Sequence, residues 1–293
     1  MTFVTREIEL SFRLKQGELA DKKENVVQLK GHRAELILET SGGVLSTSDL
    51  QLRVFGMKAS DMNAFSTSQL LPLATKNDAI SISAGDSIHG VKKIFDGTIV
   101  SALVNYRGMP DVAFDVNARP GYFYQVAPAA ANSYKGSADV ASIVESLAKQ
   151  MGYAFKNEGV TARLSNPNFP GTLIQQLKSV ANAARIICKI ENGIVTIWPN
   201  GQGFGEEPIE IGPNNGLVGY PTFIPAGIQI VTEFNPDLSQ GRIVHLQTSI
   251  EKARGEWVIQ AMRHELSTLQ AQGPWFTTVN LAKVGYALNV SKN

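Results

Sequence analysis

The residues best able to do chemistry in this sequence are four histidines, one cysteine and a few neighbouring carboxylates. The histidines are His32, His89, His245 and His264. No HExxH, HxH or carboxylate cluster accompanies them, so the spacing that holds zinc or a facial-triad iron is missing. His245 sits within Ile243-Val244-His245-Leu246 and His264 within Met262-Arg263-His264-Glu265-Leu266. Both read as strand histidines rather than ligands. Cys188 lies in the apolar run Arg185 to Ile190, with only Arg185 and Lys189 to lower its pKa, and reads as a packing residue. A single cysteine also rules out an internal disulfide framework.

Acid pairs are the next candidates, because glycoside hydrolysis needs two carboxylates across a cleft. Glu206-Glu207 and Asp111/Asp115 qualify by count alone. The first pair stands at the end of a glycine-rich stretch and the second at the start of a strand, so neither predicts a catalytic cleft. Gly201-Gln202-Gly203-Phe204-Gly205 lacks the GxxxxGK[ST] or GxGxxG spacing of a phosphate cradle and follows Trp198-Pro199. It reads as a linker. There is no GxSxG elbow. The expected site assignment is therefore empty: no catalytic, cofactor-binding or metal-binding residue, no cofactor, and no enzyme activity.

Composition points the same way. The chain has 293 residues, 43% hydrophobic and 18% charged, with a formal net charge of +1. A low charge density suits a protein that hides surface against partners, and the balanced charge supplies no field toward nucleic acid or an anionic membrane. The basic pairs Lys22-Lys23 and Lys92-Lys93 read as solvated faces. Met1 to Glu7 has no signal-peptide pattern, and no apolar run reaches the roughly 20 residues that span a bilayer. The expectation is a protein made in the cytoplasm.

The elements that must position these groups are mostly strands. Ile8, Leu10, Phe12 and Leu14 alternate with Glu9, Ser11 and Arg13; Ala34, Leu36 and Leu38 alternate with Glu35 and Glu39; Leu50, Leu52 and Val54 alternate with Gln51 and Arg53. A two-residue period marks strands with one polar face. Ile80 to Ser83 is a further strand, and Ser60 to Ser68 predicts a short helix carrying Met62 and Phe65. Thr98 to Tyr106 and Asp111 to Ala118 form a hairpin around Gly108-Met109-Pro110.

From Pro128 to Gly136 the composition becomes that of a linker. The period then changes: Val140, Ile143, Val144, Leu147 and Met151 form a helical stripe, with Ser137 or Asp139 to cap it and Gly152 to end it. A strand at Tyr153 to Phe155, a helix from Thr172 through Val180 and a hairpin around Asn192-Gly193 complete an α+β module. Its helices and strands also resemble small LysM-type glycan-binding modules, against which stands a purely structural insert. After the second linker, Ile228, Ile230 and Phe234 mark one strand, Arg242 to Gln247 another, and Trp257 to Leu269 pairs with Trp275 to Val284. Tyr106 to Gly121 and Leu269 to Gly285 share a Gly/Pro turn, a Phe, a Val-Asn pair and a closing Gly, a faint internal repeat. The fold class expected is mainly β with an α+β insert, in modules 1–127, 137–200 and 206–293.

Several stretches resemble the gp27-like baseplate hub proteins of contractile-tailed phages and the related late-control D tail proteins. They are Leu52 to Met57, Met62-Asn63, Ala79 to Gly85, Ile94 to Ile99, Pro110 to Phe114, Ala138 to Ala141, Met151 to Tyr153, Leu173 to Trp198, Arg263 to Leu266 and Gly273 to Trp275. The resemblance implies two tail-tube-like β-barrel modules flanking the α+β module, and a homotrimer forming a pseudo-six-fold ring. Such a ring joins the six-fold tail tube, or its initiator, to the three-fold central spike. It also implies contact with wedge proteins, DNA only as cargo in the channel, and a place in the virion baseplate after assembly in the host cytoplasm. The alternative is a tail-associated protein that binds or cleaves peptidoglycan.

Overall fold

The computed structural model describes residues 4–15, 19, 24–67 and 77–286. Lys22-Lys23, Met1 to Phe3 and Ser68 lie outside them. The elements in chain order are β1 (Arg6–Arg13), β2 (Val26–Leu29), β3 (Ala34–Thr40), β4 (Leu45–Phe55), α1 (Ala59–Phe65), β5 (Ala79–Asp86), β6 (Gly90–Asn105), β7 (Ala113–Arg119) and α2 (Tyr122–Val126). The middle of the chain holds β8 (Asn132–Ser133), β9 (Ser137–Asp139), α3 (Val140–Gln150), β10 (Ala154–Asn157), β11 (Arg163–Ser165), β12 (Asn168–Phe169), α4 (Leu173–Ala184), β13 (Ile186–Glu191) and β14 (Ile194–Pro199). Last come β15 (Phe204–Ile211), β16 (Leu217–Ile224), β17 (Gly227–Glu233), β18 (Arg242–Leu246), β19 (Gly255–Thr268) and β20 (Trp275–Lys283). The protein is mainly β with an α+β insert, as the periodicities predict.

The chain packs into two units that are not contiguous in sequence. The first comprises 1–38, 48–123 and 264–275; the second comprises 39–47, 124–263 and 276–293.

In the first unit the strand order is β3-β4-β7-β6-β5-β1-β2, with the end of β19 beside β3. The alternation turns Ile8, Leu10, Phe12, Leu50, Leu52, Val54, Ile80, Ile82, Phe114 and Val116 into one buried face. Phe65 of α1 closes over it, 5.3 Å from Phe12 between ring centroids. Register shifts at Ile82/Ser83 and Ile99/Ser101 bend β5, β6 and β7. At Gly97 the backbone of β6 comes so close to Arg119 and Pro120 that a Cβ would lie 2.9 Å from either, which is why the bend carries glycine.

The second unit holds two cores. In the insert, the helical stripe Val140, Ile143, Val144, Leu147 and Met151 is at most 2% exposed and packs with Leu177, Val180, Cys188, Ile190, Val195 and Ile197. Of the two cap candidates, Asp139 caps α3, its carboxylate accepting from Ser142 N at 2.9 Å. Thr172 and Gln175 form a capping box on α4. Asn192 (φ 50°) and Gly193 (φ 77°) both take positive φ, the requirement of the turn between β13 and β14. β14 pairs with β13 on one side and, in parallel, with β10 on the other. The segment read as a linker, 128–136, instead belongs to this core: Ala129 and Tyr134 pack on it, and β8 pairs with β12. Gln176 is wholly buried and holds that segment, donating to Ala130 O (2.8 Å) and Gly171 O (2.9 Å) and accepting from Asn132 (2.6 Å).

The other core gathers Ile211, Ile228, Ile230, Leu238, Val244, Leu246, Trp257, Ile259, Val279 and Leu281. Its strands run β16-β17-β20-β19, with β18 on β19 and β15 on β18. Two expectations shift here. The second linker ends early, since Phe204 begins β15 and packs edge-on against Trp198 at 5.0 Å. The strand expected to include Phe234 ends at Glu233.

Candidate functional site: a self-neutralised polar sheet face

The outer face of the first unit's sheet carries what the buried face excludes. On β4 the outward residues are Asp49, Gln51 and Arg53; opposite them on β7 stand Arg119, Asn117 and Asp115. Arg53 faces Asp115 and Gln51 faces Asn117 in register. The Arg53 guanidinium donates twice to Asp115, Nε to Oδ1 at 2.7 Å and Nη2 to Oδ2 at 3.2 Å. Arg119 Nε donates to Asp49 Oδ1 at 2.5 Å. The rungs therefore read acid–base, amide–amide, base–acid, and their charges cancel. Because a strand's side chains alternate, placing Leu50, Leu52 and Val54 in the core forces these three onto the other side.

Neighbouring strands extend the pattern. Asn105 of β6 donates to Asp115 Oδ2 at 2.8 Å, and Asn117 donates to Ser101 Oγ at 3.0 Å. Arg33 holds Glu35 at 3.1 Å. The Arg53 hydrogen bond and charge, helped by Asn105, outweigh partial burial and hold the Asp115 carboxyl below the usual carboxylate range; the Arg53 pKa is raised by the same contact. Glu35, Gln51, Arg53, Asp115, Asn117 and Glu265 line an open concavity of about 490 Å³ in this unit. A smaller one, about 290 Å³, is lined by Glu9, Ser11, Arg13, Gln28, Ser81 and Ser83 on β1, β2 and β5.

The other groups singled out in the sequence are dispersed. Asp111 is exposed with Arg33 4.0 Å away, whereas the Asp115 carboxylate is taken up by Arg53 and Asn105. A lowered Asp115 pKa is also the reverse of what a general acid needs. Glu207 is exposed on β15, and the Glu206 side chain lies outside the described residues. His89 contacts Asp86, the residue that caps this exposed turn, at 3.0 Å, His245 contacts Glu210 at 2.9 Å, His32 bonds Lys30 O at 3.0 Å, and His264 is buried in β19. Among the described residues, no three His, Cys, Asp or Glu are grouped as metal ligands. Cys188 is fully buried and its thiol is pushed up to about 12 by desolvation. No helix of the described residues is long and apolar enough to cross a membrane. The cross-strand ladder itself is what the sequence reading missed: β4 was legible, but which strand faces Gln51 and Arg53 depends on non-local pairing.

The sequence family described as baseplate hub gp41 matches residues 55–280. Among solved structures, a tail protein from Neisseria meningitidis MC58 is similar at 12% identity and a TM-score of 0.63, covering 95% of this chain and 97% of that one. The 43 kDa tail protein of prophage MuSo2 from Shewanella oneidensis matches at 8% identity and 0.57, covering 94% and 98%. The E. coli c3393 protein, a type VI secretion component described as similar to T4 bacteriophage tail proteins gp27 and gp5, matches at 9% identity and 0.57, covering 98% and 77%. No curated protein sequence matches the chain.

Proposed function

The chain belongs to the baseplate hub gp41 family, and from that premise we propose that it is a non-enzymatic hub subunit of a contractile phage tail. Three copies close a ring of pseudo-six-fold symmetry. It seats the tail tube on one side and the central spike on the other, and contacts the surrounding baseplate proteins. In this reading the modules 1–127 and 206–293 act as the two tube-like barrels of each subunit, with 137–200 as an insert between them. The faint repeat between Tyr106 to Gly121 and Leu269 to Gly285 supports descent from one duplicated unit.

The observation that carries the proposal is the two-faced sheet of the first unit. A ring subunit that surrounds a passage needs an apolar side for its own core and a polar side that neither aggregates nor grips what passes. The ladder Asp49–Arg119, Gln51–Asn117 and Arg53–Asp115 supplies such a side. In the assembled particle this face lines the passage for DNA, and the site of function is the virion tail.

Negative-stain class averages with a light-scattering mass test the assembly. The expected result is a ring with six lobes at three times the 31.7 kDa chain mass. A species that stays monomeric, even with its cognate spike protein added, overturns the hub reading.

A further inference from the structure

We infer that Asp49 and Asp115 are masking residues: they occupy the guanidinium groups of Arg119 and Arg53 so that a polyanion, a DNA phosphodiester strand, passes this face without being held. The inference rests on the hub reading and assigns that reading's polar face a specific chemistry.

Arg53 and Arg119 stand at outward positions of two paired strands. Arginine there is hazardous beside DNA, because its planar fork binds phosphate oxygens in pairs. Here both guanidinium groups are paired with a carboxylate, Arg53 through two nitrogens and Arg119 through one. Arg53 spends Nε and Nη2 on the two oxygens of Asp115, and Asp115 is held in turn by Asn105 at 2.8 Å. Arg119 spends Nε on Asp49. A third arginine beside them, Arg33, is held by Glu35 at 3.1 Å. The middle rung is Gln51 and Asn117, neutral amides that form no ion pair with phosphate.

The arrangement has a second consequence. Charges opposed across two strands cancel within a few ångströms, well inside the screening length of about 8 Å at physiological salt. A passing strand therefore meets short-range dipoles rather than a field of one sign, neither attracting it nor excluding it.

The test is retention of DNA by the purified chain. Asp49→Asn and Asp115→Asn keep the shape of each side chain and release the two cations. Fluorescence anisotropy with a labelled 30-base-pair duplex, over a salt series, compares wild type with D49N/D115N. The expected outcome is little retention by wild type and binding by the double variant that is at least about tenfold tighter at low salt. The plot of log affinity against log salt should steepen by about 2, since each released phosphate contact contributes about 0.9. The neutral variant D49N/R119Q/R53Q/D115N should return to the wild-type value.

E145Q/E158Q removes two carboxylates from ion pairs on the insert and matches the charge change. Equal tightening in that variant, wild type that already binds as well as D49N/D115N, or no gain in D49N/D115N each overturn the inference. If the double variant loses its fold by circular dichroism, D49N alone, at the more exposed rung, should give half the change in slope. Ring formation is scored separately on the same samples: a variant that forms rings but gains no DNA binding removes the masking role and leaves the hub reading standing.

Discussion

Phe12 on β1 and Phe114 on β7 lie with ring centroids 6.2 Å apart, although β5 and β6 stand between their strands in the sheet. In a flat sheet three strand steps would separate them by about 14 Å. The sheet therefore curls until one end of the run β1-β5-β6-β7 packs on the other. This curl makes a core from a single sheet, with Phe65 as its lid.

Truncating either ring should thus open a cavity no local shift can fill. Phe12→Ala or Phe114→Ala is expected to cost about 3–5 kcal/mol, and Phe12→Leu markedly less. Urea unfolding followed by tryptophan fluorescence and circular dichroism measures the difference. A cost below about 1 kcal/mol for both alanine variants would mean that the sheet is not held closed by this contact.

The Arg53–Asp115 pair predicts a pH dependence of a definite sign. The Asp115 carboxyl is held below its ordinary range in the folded chain, so the unfolded chain takes up its proton at higher pH than the folded one. The pair's contribution to stability is complete above the ordinary carboxylate range, near pH 4, and is lost as pH falls through the lower folded value. The stability gap between wild type and D115N should therefore close on acidification and stay constant from pH 6 to 8. A gap that widens in acid would contradict the sign.

Lys189 buries its ammonium, with 5% of the side chain exposed, against Glu191 at 2.9 Å, Gln240 O at 3.3 Å and the Ser239 hydroxyl. This ties β13 of the insert to the loop before β18, both within the second unit. Lys189→Ala strands a partly buried carboxylate and is expected to cost about 3 kcal/mol, while Lys189→Met with Glu191→Leu recovers most of it. A double-mutant cycle with Glu191→Gln reads the coupling. Additive single effects would show that the two residues do not act as a pair.

The insert was legible because its signals are local. A 3.6-residue stripe, a polar cap at Ser137 or Asp139 and an Asn-Gly turn each fix their neighbours within a few residues; the stripe and the turn stand as expected, and of the two cap candidates Asp139 serves. The alternation of β1, β3 and β4 was legible for the same reason. What was hidden is non-local. Gln176 looks like an ordinary helix-surface residue until Ala130, Asn132 and Gly171 are seen to meet it. Short β8 and the α2 turn carry no period at all. β16 has a proline and a register shift between Val218 and Thr222, which erase the alternation that would announce an edge strand. The ladder on β4 and β7 falls in this class, since Arg53 and Asp115 are 62 residues apart in sequence.

Cys188 offers a probe of how tightly the insert is closed. It lies on β13, fully buried among Val180, Ile190 and Ile197, and desolvation pushes its thiol up to about 12. Only the thiolate attacks a disulfide reagent, so at pH 8 the native thiol is both inaccessible and almost wholly protonated. In native buffer Ellman's reagent should therefore label nothing over an hour, and one thiol per chain should react within minutes in urea. At intermediate urea the labelling rate measures the opening of β13 itself. Comparison with the fluorescence transition then shows whether the insert opens alone or with the rest of its unit. Replacement tests the same burial from another side: Cys188→Ala is expected to be mild, whereas Cys188→Ser places a hydroxyl among apolar side chains and costs about 1–3 kcal/mol. Rapid native labelling, or a serine variant as stable as the alanine one, would show that β13 is open to water and that the insert's core is not closed around it.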